Sequence, residues 1–318
     1  MSKVIIGIHG LGNKASAKTL KTWWEKAMRE GLSNAGFNSR LPKFELIYWA
    51  DILYDEPLDE TITDERHPLF LKEKYVKGTK IITGMQHPFR KKFLDWFDEA
   101  ADKIFLNEDM TLNYSFISNK IIHKYFKDLE TYYENGKISS KGQTFLARNE
   151  IRRRAIEILK KYDGYDIFLV AHSMGSIIAF DVLTFNLPEL KIKTFATIGS
   201  SLGITVVRSK IAQEKKIVLN DNHKLKTPKG VQQWYNFSDL EDDVAINYSL
   251  EKDFDENEDG VKPVDFIVNN NYEIDNEKNP HKSFGYLRTP EFSNILVEFI
   301  KKKRFRQKVK DFFSFLKE

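Results

Sequence analysis

The chain predicts an α/β architecture in which helices flank a mostly parallel central sheet. The runs "KVIIGI" (3–8) and "DIFLVA" (166–171) are continuously apolar, as strands covered on both faces require. Between such runs lie segments with apolar residues at helical spacing. Alternation of this kind implies a parallel sheet with helices on both sides. No internal repeat interrupts the pattern.

Taken in order, the first strand ends in glycine. "SAKTLKTWWEKAMREGL" follows, with Leu20, Trp23, Trp24, Ala27 and Met28 on one helical face. "FELIYWADILY" (44–54) reads as the second strand. Residues 53–143 then leave the alternation. Phe89, Phe93, Trp96, Phe97, Ala100 and Ile104 share one helical face, and Ile117, Ile121, Tyr125, Leu129 and Tyr132 share another. This segment is expected to be a mostly helical insertion within the same domain, its aromatic faces serving ordinary helix packing or, alternatively, a lid over a pocket. From "FLARNEIRRRAIEILKKY" the alternation resumes: a helix, "DIFLVA" as strand, "SIIAFDVLTF" as helix and "KTFATIGSS" as strand. "QQWYNFS" and "VDFIVNN" are further strands, separated by an acidic loop. A last helix begins near Thr289–Pro290, because proline suits a first helical turn. Residues 1–300 thus form one domain, and 301–318 form a basic tail.

Composition narrows the function classes. Of 318 residues 41% are apolar, and 24 Phe, 13 Tyr and 5 Trp supply a substantial core. There is no cysteine, which excludes disulfides, zinc–thiolate sites and thiol catalysis together. The apolar run in "MSKVIIGIHG" is too short for a secretory signal, and no stretch approaches the roughly 20 apolar residues that span a bilayer. A cytoplasmic protein is expected. The net charge of +4 is unevenly placed: the tail "KKKRFRQKVKDFFSFLKE" carries eight Lys/Arg against two acids, which leaves 1–300 at −2. A basic tail on a mildly acidic body is not the footprint of a nucleic-acid protein. With Phe305, Val309, Phe312, Phe313 and Leu316 among its cations, the tail could pack on its own chain or make peripheral contact with an anionic membrane.

The chemistry-bearing stretch is "AHSMG", Ala171 to Gly175, at the junction of strand and helix. Small residues two positions to either side of Ser173 let the two backbones approach through a tight turn. The serine hydroxyl is then presented near the positive end of the following helix. In an open parallel sheet, reactive groups belong at such carboxyl strand ends.

Here the chain resembles the α/β-hydrolase superfamily, in particular its lipase- and esterase-like serine hydrolases, whose signature is Gly-x-Ser-x-Gly. Ala171 replaces the first glycine. The resemblance implies Ser173 as nucleophile and the "IHGLGN" loop, His9 to Asn13, as part of an oxyanion hole. Its donors would be the N–H groups of Leu11 and Met174. "IGSSLGI" (198–204) looks like a pocket loop of the family, and Ser201 is expected in the pocket wall. "WYNFSDLEDDVA" (234–245) resembles the strand-end segment that carries the acid, with Asp242 in its place and Asp239 as the other candidate. In "NPHKSFGYLRTPEF" (279–292), His281 takes the place of the base; it is the only histidine after the acid.

The order Ser173, Asp242, His281 is the order of this superfamily. The resemblance implies hydrolysis of a small-molecule or lipid acyl ester through an acyl-serine, with no metal or organic cofactor. The alternative is a noncatalytic relative that binds partners through the insertion and tail. Asp255, Asn257, Asp259 and Gly260 open a calcium-loop pattern, but Phe266 stands where the pattern needs a bidentate glutamate, so a solvated loop is expected.

Overall fold

The computed structural model describes residues 1–78, 132–133, 137–140, 143–215, 224–243 and 248–301. Six strands form the central sheet: β1 (Lys3–Ile8), β2 (Lys43–Ile47), β3 (Asp166–His172), β4 (Thr194–Ile198), β5 (Trp234–Asp239) and β6 (Pro263–Val268). All pair in parallel, in the spatial order β6-β5-β4-β3-β1-β2. The chain steps from β1 outward to β2, then returns to the other side of β1 and proceeds β3 to β6. The sheet therefore reverses direction between β1 and β3. In doubly wound sheets this is where loops at the carboxyl ends part and leave a crevice.

Among the described residues, five principal helices cover the sheet: α1 (Ala17–Asn34), α2 (Ala147–Lys161), α3 (Met174–Asp181), α4 (Thr205–Lys215) and α5 (Pro290–Ile300). Side chains alternate across each strand with a period of two. Val4, Ile6, Ile8, Leu169 and Ala171 face α2, α3 and α4, whereas Ile5, Phe168 and Val170 face α1 and α5. Burial on both faces is why these strands read as unbroken apolar runs. Two side-chain caps open α1 and α5. Ser16 accepts from the Thr19 N–H ahead of α1, and Thr289 accepts from the Phe292 N–H ahead of α5, with Pro290 at its first turn. Among the described residues, no helix is long and apolar enough to cross a membrane.

Two expectations need correction. "FELIYWADILY" is not one strand: β2 ends at Ile47, and Ala50–Leu53 is a short helix. The Trp49 indole N–H donates to the His9 carbonyl at 2.9 Å, a bond that turns the chain inward over the end of β1. The segment after it also departs from the helical reading. Residues 54–78 form no helix but a looped strap: the isolated bridge Ala15–Leu58 joins it to the chain ahead of α1, and Asp59–Phe70 closes it on itself. Lys137–Ser140 and Gln143–Leu146 pair as an antiparallel hairpin. The two proposed aromatic faces lie outside the described residues except for Tyr132, whose hydroxyl donates to buried Asp181 at 2.8 Å.

α3 begins hard against β1. A Cβ on Gly175 would stand 2.5 Å from the Ile8 carbonyl oxygen and 2.8 Å from that of His9. Those are backbone atoms in the sheet and cannot swing aside. Gly175→Ala should therefore destabilise the fold by about 1–3 kcal/mol through overpacking, read as a lower urea midpoint. An unchanged midpoint would show that helix and strand can part at no cost.

Candidate active site

Ser173 lies between β3 and α3 with φ 54° and ψ −128°, a conformation that L-residues avoid. Several bonds hold it there. The Ser173 N–H donates to the Ile198 carbonyl at 3.1 Å, and the Ser173 carbonyl accepts from the Ser176 N–H and hydroxyl at 2.9 and 2.6 Å. Ser200 extends the chain by donating to the Ser176 hydroxyl at 2.9 Å. Gly10 packs on the other side, where a Cβ would meet the Ser173 Cβ at 2.7 Å.

From the loop before α5, His281 reaches Ser173: its Nε2 is 3.0 Å from the hydroxyl oxygen. The opposite nitrogen, Nδ1, lies 2.9 and 2.8 Å from the two carboxylate oxygens of Asp242. A carboxylate facing Nδ1 makes that nitrogen the proton-bearing one and leaves Nε2 to accept from the serine. Asp242 is fully buried and takes a second hydrogen bond from the Tyr286 hydroxyl at 2.7 Å. Asp239, the other candidate acid, turns away. It accepts the N–H groups of Asn270 and Glu241 at 2.5 and 2.7 Å, and burial pushes its carboxyl up to about 6. Tyr286 joins the two acids, because its oxygen also accepts the Asp239 N–H at 3.0 Å.

Gly199, at the end of β4, has φ 51° and abuts the same group. A Cβ there would stand 2.9 Å from Asp242 Oδ2 and 3.2 Å from His281 Nδ1. Ser201, expected in the pocket wall, is fully buried and does not line the cavity beside Ser173. Asn257, from the calcium-like pattern, is spent on the fold. Its side chain donates to the carbonyls of Pro228 and Val231 and accepts the N–H groups of Asp259 and Val261.

Two more histidines flank the serine. His9 is stacked on Trp49 with ring centroids 4.8 Å apart; its Nε2 accepts the Trp49 N–H, so Nδ1 carries the proton and donates to the Gly10 carbonyl at 2.8 Å. In a trans peptide the next N–H points opposite to that carbonyl, so His9 turns the Leu11 N–H away from its own ring. Neither the Leu11 nor the Met174 N–H has a hydrogen-bond partner among the described residues. His172 donates from Nε2 to the His281 carbonyl at 2.7 Å and lies against that ring at 4.7 Å.

A cavity of about 440 Å³ opens beside Ser173 and His281. Leu20, Trp23, Leu58, Phe70, Leu71 and Phe284 make its apolar wall, and Lys14, Lys72, Glu73, Asn279 and Lys282 its polar edge. Of the residues singled out in the sequence, the structure brings Ser173, Asp242 and His281 into contact and sets Leu11 on the same cavity with Met174 next to Ser173, whereas Asp239 and Ser201 stand apart. The contacts of Tyr286 and Gly199 with Asp242, and the part of His9 in turning the Leu11 peptide, are not legible in the sequence. Each depends on a partner distant in the chain and leaves no local signal. No family model and no curated protein matches the chain.

Burial lowers the pKa of His9 to about 3, with Lys14 acting in the same direction, and burial also drives His172 well below its ordinary value of 6.5, helped by His281. Both are neutral when folded and free to protonate when unfolded. Their contribution to stability is complete above pH 6.5 and is lost as pH falls toward the folded values. For His9 alone, unfolding free energy should drop by about 2 kcal/mol from pH 7 to pH 5. Urea titrations across this range test it: His9→Gln should flatten the slope, and a slope equal to wild type would refute the assignment.

Proposed function

We propose that the protein is a serine hydrolase of the α/β-hydrolase type, cleaving a carboxylic ester, thioester or lipid acyl ester. The observation that carries this reading is the 3.0 Å contact from the Ser173 hydroxyl to His281 Nε2, with Nδ1 held by Asp242. A serine hydroxyl is a weak nucleophile until a neutral imidazole takes its proton. In the proposed cycle Nε2 accepts that proton as Ser173 Oγ bonds to the acyl carbon. The carbonyl electrons move onto oxygen, and the N–H groups of Leu11 and Met174 receive the developing charge. Loss of one such donor costs about 3 kcal/mol in comparable sites.

The imidazolium, steadied by Asp242, returns its proton to the departing alcohol or thiol as the tetrahedral carbon collapses to the acyl-serine. Water, deprotonated by the same imidazole, then releases the acid and restores Ser173. Every proton in this cycle passes between Ser173, His281, water and the leaving group. The apolar wall suits a hydrophobic acyl or alcohol group. The strand order, with the serine and the His9–Leu11 loop on either side of the reversal point, supports the fold assignment.

A fluorophosphonate probe tests the nucleophile: wild type should be labelled and Ser173→Ala should not. Equal labelling of both, or none in either, would refute the reading. Asp242→Asn should lower kcat by about 10⁴, well beyond Asp239→Asn, and the reverse ranking would transfer the acid role to Asp239. Across p-nitrophenyl esters of increasing chain length, kcat/KM should rise beyond acetate as the apolar wall is engaged. Refusal of all but short chains would rule out an acyl-binding cavity.

A further inference from the structure

The strap of residues 54–78 does more than wall the cavity. It is tied down along its length: the Leu58 N–H donates to the Lys14 carbonyl at 2.8 Å, the Tyr272 hydroxyl to the Lys74 carbonyl at 2.7 Å, and Arg288 to the Val76 carbonyl at 2.6 Å. Between these ties Glu73 crosses to the loop that carries His281. One carboxylate oxygen of Glu73 accepts from the Asn279 amide, and the other pairs with Lys282 Nζ at 2.7 Å. Asn279 in turn accepts the His281 N–H on its side-chain oxygen at 3.0 Å. The residues on both sides of the histidine are thus gripped by one carboxylate from a segment some 200 positions away.

We propose that Glu73 is a positioning residue for the base: it sets the His281 loop through Asn279 and Lys282, and so couples the wall of the acyl cavity to the alignment of Nε2 with Ser173. The proposal rests on the hydrolase reading. Phe70 and Leu71, three and two residues before Glu73, lie on the cavity wall, so a substrate pressing on the strap presses on the clamp that holds the imidazole. Burial opposes the Glu73 charge, but Lys282, the Asn279 amide and Lys14 outweigh it and bring its pKa to about 2. The clamp is therefore ionised wherever the imidazole can act as a base. Another acidic residue of the strap, Asp64, pairs with Arg66 within the strap and, among the described residues, makes no such reach.

Fluorophosphonate labelling of full-length protein reads the alignment without a known substrate. Glu73→Gln should lower the maximal labelling rate by roughly tenfold to a hundredfold, as small misplacements of reacting groups do, with the half-saturating probe concentration within about twofold of wild type. Asn279→Ala should give a similar loss, and the double variant should be no slower than the worse single, because the two act in series. Asp64→Asn should label as wild type. A Glu73→Gln loss that lies wholly in half-saturation, a strictly additive double variant, or an equal loss in Asp64→Asn would each overturn the proposal. If Glu73→Gln does not fold, Asn279→Ala labelling at the wild-type rate overturns it alone. Wild-type protein that resists the probe sinks the hydrolase reading and this proposal together. Normal wild-type labelling with an unaffected Glu73→Gln sinks this proposal only.

Discussion

The constraint on which the site depends is the backbone of Ser173. A non-glycine residue at φ 54° and ψ −128° stores about 1–3 kcal/mol of strain. It persists only because everything around it forbids a relaxed turn. Its N–H is committed to β4 through Ile198, its carbonyl is taken up at the start of α3, and α3 is wholly buried. The same turn brings the amino end of α3 against the end of β1, which is why glycine is needed at both 10 and 175. The same packing sets Gly10, and with it the loop to Leu11, beside the turn that continues into Met174, the two residues proposed to supply the donors.

Electrostatics divides the labour among neighbouring titratable groups. Asp239 and Asp242 are three residues apart and both buried, yet only Asp242 meets an imidazole. Asp239 is absorbed by backbone N–H groups and loses acidity to burial, while Tyr286 spans the two and donates its hydroxyl hydrogen bond to Asp242. The histidines divide similarly. His9 and His172 are held neutral by burial and each turns its N–H toward a carbonyl. Neither adds positive charge to compete with the imidazolium proposed to form on His281, whose side chain is 25% exposed toward the cavity. Burial thus keeps His9 and His172 out of the proposed proton transfers, which fall to His281.

Much of this was legible in the sequence where the signal is local. The turn at Ser173 shows in five consecutive residues, the parallel strands in unbroken apolar runs, and the start of α5 in the proline of its first turn. The acid was less legible, because a strand-end segment with aspartates at 239 and 242 offers two carboxylates of equal chemistry. The packing of Tyr286 and Gly199 against Asp242 favours one of them. Residues 48–53 misled for another reason: their apolar run is consistent with a strand, but the Trp49 bonds to His9 bend the chain after Ile47. The strap misled because Leu58, Phe70 and Leu71 supply apolar surface to a cavity wall, not to a helix face, and periodicity does not register a wall of extended chain.

The arrangement also explains why the site needs a long chain. Ser173 after β3 and Asp242 after β5 must converge to within hydrogen-bond distance of the His281 imidazole, carried after β6, while a distant strap grips the loop on which it sits, and each is independently free in the unfolded state. A rigid parallel sheet solves most of this, because all its carboxyl ends open on the same edge and register fixes their spacing. The base loop is the exception. It follows the last sheet strand and is joined to the sheet through Asn270, which binds the carbonyls of Pro280 and Lys282, and through His172, which donates to the His281 carbonyl. Glu73 adds a grip from the strap, through Asn279 and Lys282, on the residues flanking His281. The strap is thus a further element proposed to set where Nε2 points, and the chemistry proposed for Ser173 depends in part on a segment that contributes no reacting atom.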